Sequence, residues 1–262
     1  MMKKQIANWK VKENIAFNQN YCLLKLTLED APFPDFLPGQ FVQVKIDHSE
    51  NTFLRRPISV HYADRENREL WLLIQVVGTG TRHLFHLQQG DSLNLIYPLG
   101  KGFSIPDKPD KDKRLLLIGG GIGSAPLLYL GAYLKEAGFT PTFLIGARSE
   151  KDLLQLEEFN RLGMVYITTE NGGLGEKGYV VDHSLLHRRD ADFIYACGPD
   201  LMMLSVARYA RESGIPCEVS LENRMACGIG ACLCCVEQTI YGNNCVCTEG
   251  PVFNIDELTW QI

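Results

Sequence analysis

Short apolar runs broken by turn residues fill the first third of the chain, as at 21–28, 40–46 and 70–77, where β-branched, aromatic and leucine side chains alternate with polar ones. Several such runs in succession predict a small antiparallel β-barrel. From residue 114 the pattern changes. Continuous apolar stretches at 114–118, 142–146, 164–167 and 193–196 alternate with helical stretches, the first of them at 127–134 after a glycine-rich turn at 119–123. Strands without a polar face, separated by helices, predict a parallel sheet covered on both sides. The polar, proline-containing segment 104–113 reads as a linker between the two patterns. The tail from about 218 fits neither pattern: it is short, glycine- and cysteine-rich, and has too few apolar residues to fold without a staple or a metal. The expected architecture is an antiparallel β-barrel at 1–108, an α/β parallel-sheet domain at 109–217 and a small cysteine-bearing segment at 218–262.

Composition narrows the function. The 262 residues are 45% hydrophobic and 22% charged, enough for real cores. With 26 basic against 31 acidic side chains the net charge is −5, and no basic stripe is present to neutralise a phosphate backbone, which argues against nucleic acid as a partner. The first ten residues carry lysines but no apolar run or small-residue cleavage site, and no stretch is long enough to span a membrane, so the cytoplasm is the expected location. In that compartment clustered cysteines point to metal or catalysis rather than disulfides. Of the nine cysteines, Cys22, Cys197 and Cys217 are scattered, whereas Cys227, Cys232, Cys234, Cys235, Cys245 and Cys247 crowd one stretch.

That stretch carries the strongest motif. Cys227, Cys232 and Cys235 have the C-x4-C-x2-C spacing of plant-type [2Fe–2S] sites, and Gly228, Gly230 and Ala231 between them let the backbone wrap tightly and aim N–H groups at sulfur. Four cysteines also satisfy a structural zinc, the competing reading. Cys235 is preferred to Cys234 because it keeps the two-residue spacing from Cys232. Spacing alone does not choose between Cys245 and Cys247 for the fourth ligand.

The second motif is Gly119, Gly120, Gly121, Gly123 and Pro126, which follow an apolar strand and open a helix. There the missing side chains admit a pyrophosphate, the helix N-terminus stabilises its charge, and a proline costs nothing. The run Cys197-Gly198-Pro199 again ends a strand and opens a helix. Two such turns on one sheet imply a shared nicotinamide crevice at the strands' carboxyl ends, although a buried thiol is the plain reading of Cys197 taken alone. Arg148 and Ser149 follow the second strand, where enzymes using NADP place phosphate-binding groups. The third motif pairs Arg55-Arg56-Pro57-Ile58-Ser59 with the turn 77–82; an Arg, a hydroxyl and free turn N–H groups suit a flavin and its pyrophosphate. The six histidines are scattered and none is assigned to catalysis. Trp9, Trp71 and Trp260 read as packing residues.

In this order the three motifs resemble the ferredoxin-NADP reductase superfamily across essentially the whole chain. Its flavin signature falls on Arg56, Pro57, Ile58 and Ser59, with Ile58 replacing an aromatic. Its second flavin-phosphate element falls on Gly80 and Thr81, and Leu73, Ile74 and Gln75 lie on the strand that approaches the flavin. A cysteine segment after the nicotinamide domain, together with the run 220–232 and the run 246–253, is similar to the electron-transfer subunits of the NAD-dependent dihydroorotate dehydrogenases. That resemblance implies FAD, a [2Fe–2S] cluster and NAD as cofactors, and Cys227, Cys232, Cys235 and Cys247 as cluster ligands. It also implies an FMN-containing partner that oxidises dihydroorotate, with two copies of each subunit, and electron transfer from that partner to NAD in pyrimidine biosynthesis. The rival readings are a reductase subunit serving ferredoxin, sulfide or hydrogenase chemistry, a redox sensor, and a flavin reductase with a zinc tail.

Overall fold

The computed structural model describes residues 3–29, 31–47, 52–107 and 112–260; part of the expected linker, 108–111, lies outside them. The first unit is built from β1 (Gln5–Asn18), β2 (Tyr21–Thr27), β3 (Phe41–Val44), β4 (Arg56–Ser59), β5 (Tyr62–Asp64), β6 (Glu69–Gln75), the helix α1 (Thr79–Phe85) and β7 (Ser92–Leu99). Its strands form one antiparallel sheet in the order β4-β3-β7-β1-β2-β6-β5. β4 and β5 stand at opposite ends of that order, yet only Val60 and His61 separate them in the chain. The sheet must therefore curl until its edges approach, and Val60 N–H bonds the Gln40 carbonyl on one side while His61 N–H bonds that of Trp71 on the other. Cys22, Leu24 and Leu26 of β2 meet Leu70, Leu72 and Ile74 of β6 inside. Leu23 and Leu73, one position out of phase, face outward against Ala125. The period of two along a strand thus divides one run of leucines between the barrel core and a contact with the next unit.

The second unit comprises β8 (Leu115–Gly120), α2 (Ala125–Glu136), β9 (Thr142–Ala147), α3 (Leu156–Leu162), β10 (Met164–Thr169), β11 (Glu176–Lys177), β12 (Phe193–Cys197), α4 (Asp200–Ser213) and β13 (Cys217–Ser220). Its sheet runs β11-β10-β9-β8-β12-β13 in parallel. Both faces are buried. Leu116, Ile118, Ile194 and Ala196 pack with Met203, Val206 and Ala207 of α4, whereas Leu115, Leu117, Phe143 and Tyr195 pack with Leu127, Leu130 and Leu134 of α2. That two-sided burial is why these strands read as unbroken apolar runs. Truncating one of the central leucines to alanine would cost about 2–5 kcal/mol. α4 stops at Gly214, whose φ of +66° lets its N–H reach back to the Ala210 and Arg211 carbonyls.

The tail adds β14 (Val236–Thr239), β15 (Gly242–Cys245) and β16 (Val252–Asn254). β14 and β15 form a hairpin, and β16 pairs antiparallel with β13 at the edge of the parallel sheet. The tail therefore does not rely on a metal alone, as its sparse apolar content suggests: Cys235, Val246, Cys247 and Phe253 share a core with Phe41, Leu99 and Val219 of the two larger units. β13 runs across the 217/218 position expected to divide the sheet from the tail. Among the described residues no helix is long and apolar enough to cross a membrane.

Candidate functional site

The order of the parallel sheet reverses between β8 and β12, so the loops leaving these two strands diverge and leave a crevice at their carboxyl ends. Gly119–Gly123 leaves β8, and Cys197-Gly198-Pro199 leaves β12, with Gly119 and Cys197 directly paired. The loops approach closely, at Gly123 through backbone. A Cβ on Gly123 would lie 2.4 Å from Gly198 Cα and 2.5 Å from the Cys197 oxygen, and one on Gly120 would lie 2.3 Å from Met202 Sδ. Ser124 Oγ donates to the Gly121 carbonyl at 2.9 Å, and Pro126 sits in the first turn of α2. Burial pushes the Cys197 thiol up to about 12, with Glu222 adding to the rise and Ser220 opposing it, so the sulfur is a protonated wall group and no nucleophile.

Ser220, the last residue of β13, and Glu222 just beyond it lie close to Cys197 without belonging to a sequence motif. Glu222 is exposed at its outer surface, yet the wall removes enough water to push its carboxyl up, and Asp200 adds to the shift. Where β9 ends, Ser149 donates to the Asp152 carboxylate at 2.8 Å. A fixed anion at this point is unfavourable to a ribose phosphate and compatible with a plain ribose. Asp152 belongs to no sequence motif, whereas Arg148 beside it stands out as a phosphate-binding candidate.

The flavin motifs meet as well. The ideal Cβ position of Gly80 is 2.9 Å from Arg56 Nε, so the guanidinium lies over the α1 turn in space that only glycine leaves open. Among the described residues Arg56 bonds only its neighbours' carbonyls, those of Leu54 at 2.8 Å and Arg55 at 3.4 Å. Arg55 is used differently, reaching the Gln43 and Asn94 carbonyls and Asn94 Oδ1 inside the barrel wall. Thr81 Oγ1 accepts from the N–H groups of Val77 and Gly78, at 2.9 and 3.1 Å, and so shapes the turn. Pro57, Ile58 and Ser59 are half-buried beside Arg56. A cation without a carboxylate partner over a glycine turn fits a pyrophosphate. The side chains of Leu73 and Ile74 are committed to packing, and Gln75 donates to the Tyr21 hydroxyl at 3.1 Å, so this strand offers a ligand its backbone.

In the cysteine loop the thiols gather in two pairs. Cys227 is within hydrogen-bonding reach of Cys232, and Cys235 of Cys247. Backbone donors point at them: Ile229 and Ala231 N–H at Cys227 Sγ (3.5 and 3.4 Å), Gly230 N–H at Cys247 Sγ (3.2 Å), and Cys247 N–H at Cys235 Sγ (3.4 Å). Gly228 and Gly230 take φ of +69° and +85° to aim them. Burial pushes the Cys227 thiol up, but the Ile229 N–H, the Cys232 thiol and the N–H groups of Cys232 and Ala231 together outweigh it and bring the group down to about 6. Thiols gathered under converging N–H groups would suit a two-iron cluster. Cys245 is also within hydrogen-bonding reach of Cys235, and Cys234 is as exposed as Cys232.

The three sites adjoin. Leu73 of β6 packs on Ala125 after the glycine loop, and Gln43 of the barrel packs on Gly228 of the cysteine loop.

Comparison with known proteins follows the same lines. A family model described as the iron–sulfur cluster binding domain of dihydroorotate dehydrogenase B matches residues 222–259. The electron transfer subunit of dihydroorotate dehydrogenase B (NAD(+)) from Shouchella clausii is 38% identical over 226 residues, 84% of this chain and 86% of that one. The subunit of the same name from Caldanaerobacter subterraneus is 36% identical over 257 residues, covering 95% and 98%. Among solved structures, an NADH-dependent reduced ferredoxin-NADP oxidoreductase studied for flavin-based electron bifurcation superposes with a TM-score of 0.84 at 28% identity, over 97% of this chain and 90% of that one. A ferredoxin NADP+ reductase from Neisseria gonorrhoeae with bound FAD and NADP shares the fold at a TM-score of 0.67 and 17% identity, over 80% and 92%.

Proposed function

The chain belongs to the electron-transfer subunits of NAD-dependent dihydroorotate dehydrogenase B, and on that premise we propose that it passes the electrons of a dihydroorotate-oxidising, FMN-containing partner to NAD by way of a [2Fe–2S] cluster and FAD. The assembly holds two copies of each subunit and works in the cytoplasm. The observation that carries the reading is the adjacency of the three sites, through Gln43 against Gly228 and Leu73 against Ala125. When bound, the cluster supplies single-electron transfer and FAD the exchange between single electrons and hydride.

The residues divide the work. Cys227, Cys232, Cys235 and Cys247 would hold the irons, and the N–H groups of Ile229 and Ala231 favour the thiolate form of Cys227. Arg56 and the Gly80–Thr81 turn neutralise the flavin pyrophosphate, and Pro57, Ile58 and Ser59 with the backbone of Leu73, Ile74 and Gln75 bound the ring. Gly119, Gly120, Gly121, Gly123 and Pro126 receive the dinucleotide, and Cys197, Gly198 and Pro199 wall the nicotinamide. Cys197 stays protonated and excludes water. Asp152 favours NAD over its phosphorylated form.

The fold similarity to a ferredoxin-NADP oxidoreductase favours one second reading, a reductase subunit whose partner is a ferredoxin. An anaerobic visible spectrum of the purified chain before and after NADH, with iron, sulfide, zinc and flavin counted on the same sample, tests the cofactor set. Flavin over broad iron–sulfur absorption, bleached by NADH, is expected, whereas flavin with zinc and no iron sinks the reading. An FMN-containing protein that copurifies and reduces the chain with dihydroorotate separates the two partners.

A further inference from the structure

Gln43 is fully buried in β3, and its surroundings do not satisfy it. Its backbone belongs to the flavin side: it pairs with Pro57 across β4, and its carbonyl accepts Arg55 Nη1 at 3.2 Å. Its side chain belongs to the cysteine side. The ideal Cβ position of Gly228, the residue after Cys227, is 2.5 Å from Gln43 Cγ and 2.7 Å from Nε2. Only a glycine fits there without displacing Gln43, and its φ of +69° favours glycine as well. The amide meets little in return. Nε2 reaches only Met225 Sδ, at 4.0 Å, and Oε1 has no partner among the described residues. Of the two donor hydrogens on Nε2, one meets no acceptor among the described residues, cysteine sulfur included, and burying it unpaired is costly. The other orphaned side-chain atoms among the described residues belong to Trp9 and Asn14 of β1, Thr168 of β10 and Ser213, the last residue of α4.

We propose that Gln43 is a positioning residue for the iron–sulfur cluster: its side-chain amide donates a hydrogen bond to the sulfur of the loaded cysteine loop and ties that loop to the strand paired with the flavin motif. The proposal rests on the cluster reading given above. A donor to cluster sulfur stabilises the added electron, so Gln43 raises the cluster's potential, and such outer-shell hydrogen bonds are worth about 10–100-fold in activity.

The test is a redox titration of the complete enzyme followed by electron paramagnetic resonance, comparing Gln43→Met with the unaltered protein. Methionine keeps the length and fills the space but has no N–H. The expected result is full iron content, a lower cluster potential, an altered resonance line shape and roughly tenfold slower electron delivery from partner to NAD. An unchanged potential and line shape at full iron content overturns the proposal. A second readout needs no variant and applies even if Gln43→Met fails to load iron: spin-echo coupling between the reduced cluster and isotopically labelled glutamine side-chain nitrogen in the unaltered protein is expected, and its absence overturns the proposal. An unaltered protein with full FAD and no reducible iron–sulfur signal overturns the cluster reading itself, which distinguishes the two failures.

Discussion

His61 Nδ1 lies 2.7 Å from the carbonyl oxygen of Ala125, joining the link between β4 and β5 to the first residue of α2. The oxygen can only accept, so Nδ1 carries the proton, and Nε2 meets the Gln155 side chain at 2.5 Å. The ring is buried, and burial holds its pKa below the usual histidine value, against the raising effects of Ala125, Gln155 and Glu158. The barrel and the nucleotide-binding unit are thus pinned by a neutral imidazole beside the glycine loop.

A group depressed in the folded state stabilises fully above its unfolded pKa of about 6.5 and loses that contribution as pH falls toward the folded value. Each unit of depression is worth about 1.4 kcal/mol. Thermal melts taken between about pH 8 and about pH 5 should therefore drop on the acid side, and His61→Gln should flatten the drop. An equally steep acid loss in that variant would assign the effect elsewhere.

Adjacent arginines should respond differently. Arg55 makes three bonds inside the barrel wall, so Arg55→Ala should lower stability by about 1.5–3 kcal/mol in denaturant unfolding. Arg56→Ala should unfold normally but leave purification with little FAD, read as the flavin-to-protein ratio.

A methyl group at Gly123 collides with backbone on the opposite loop, which has no side chain to move aside. Gly123→Ala should raise the KM for NADH by about tenfold, a loss of about 1.4 kcal/mol, in steady-state reduction of a dye. An unaltered KM would mean that the nucleotide binds elsewhere.

The cysteines separate by contact rather than by burial, since Cys232 is as exposed as Cys234. Cys247→Ser and Cys235→Ser, altering thiols in contact, should lose iron and sulfide, whereas Cys234→Ser should retain both. Iron and sulfide counted per chain decide the matter, and loss in Cys234→Ser would reassign the third ligand.

Removing the charge bound by Ser149 should loosen cofactor choice. In Asp152→Ser the preference for NADH over NADPH, as a ratio of kcat/KM values, should fall by about tenfold. A constant ratio would place discrimination at another residue.

Much of this was legible in the sequence because the signals were local. Alternation in 21–28 and 70–77 gave strands, and unbroken runs at 114–118 and 193–196 gave a buried parallel sheet; both were found. The motifs of glycine, arginine and cysteine sit where local spacing put them. What stayed hidden depends on contacts between distant residues. Gln43 looks like any polar position in a strand until Gly228 arrives some 180 positions later. Leu73 and Ile74 carry no sign that one faces the next unit and the other the barrel core.

The pairing of β16 with β13 bears on how such a chain can be cut and recombined. Removing everything after 217 would take away more than the cysteines: part of β13 would go, and β12 would become an open border with unpaired N–H and C=O groups, a template for strand addition by another molecule. A shortened protein ending there should be sticky and self-associating rather than a plain flavin reductase. A soluble version without the iron centre is better made by altering ligands in place, or by a hybrid that supplies its own covering strand.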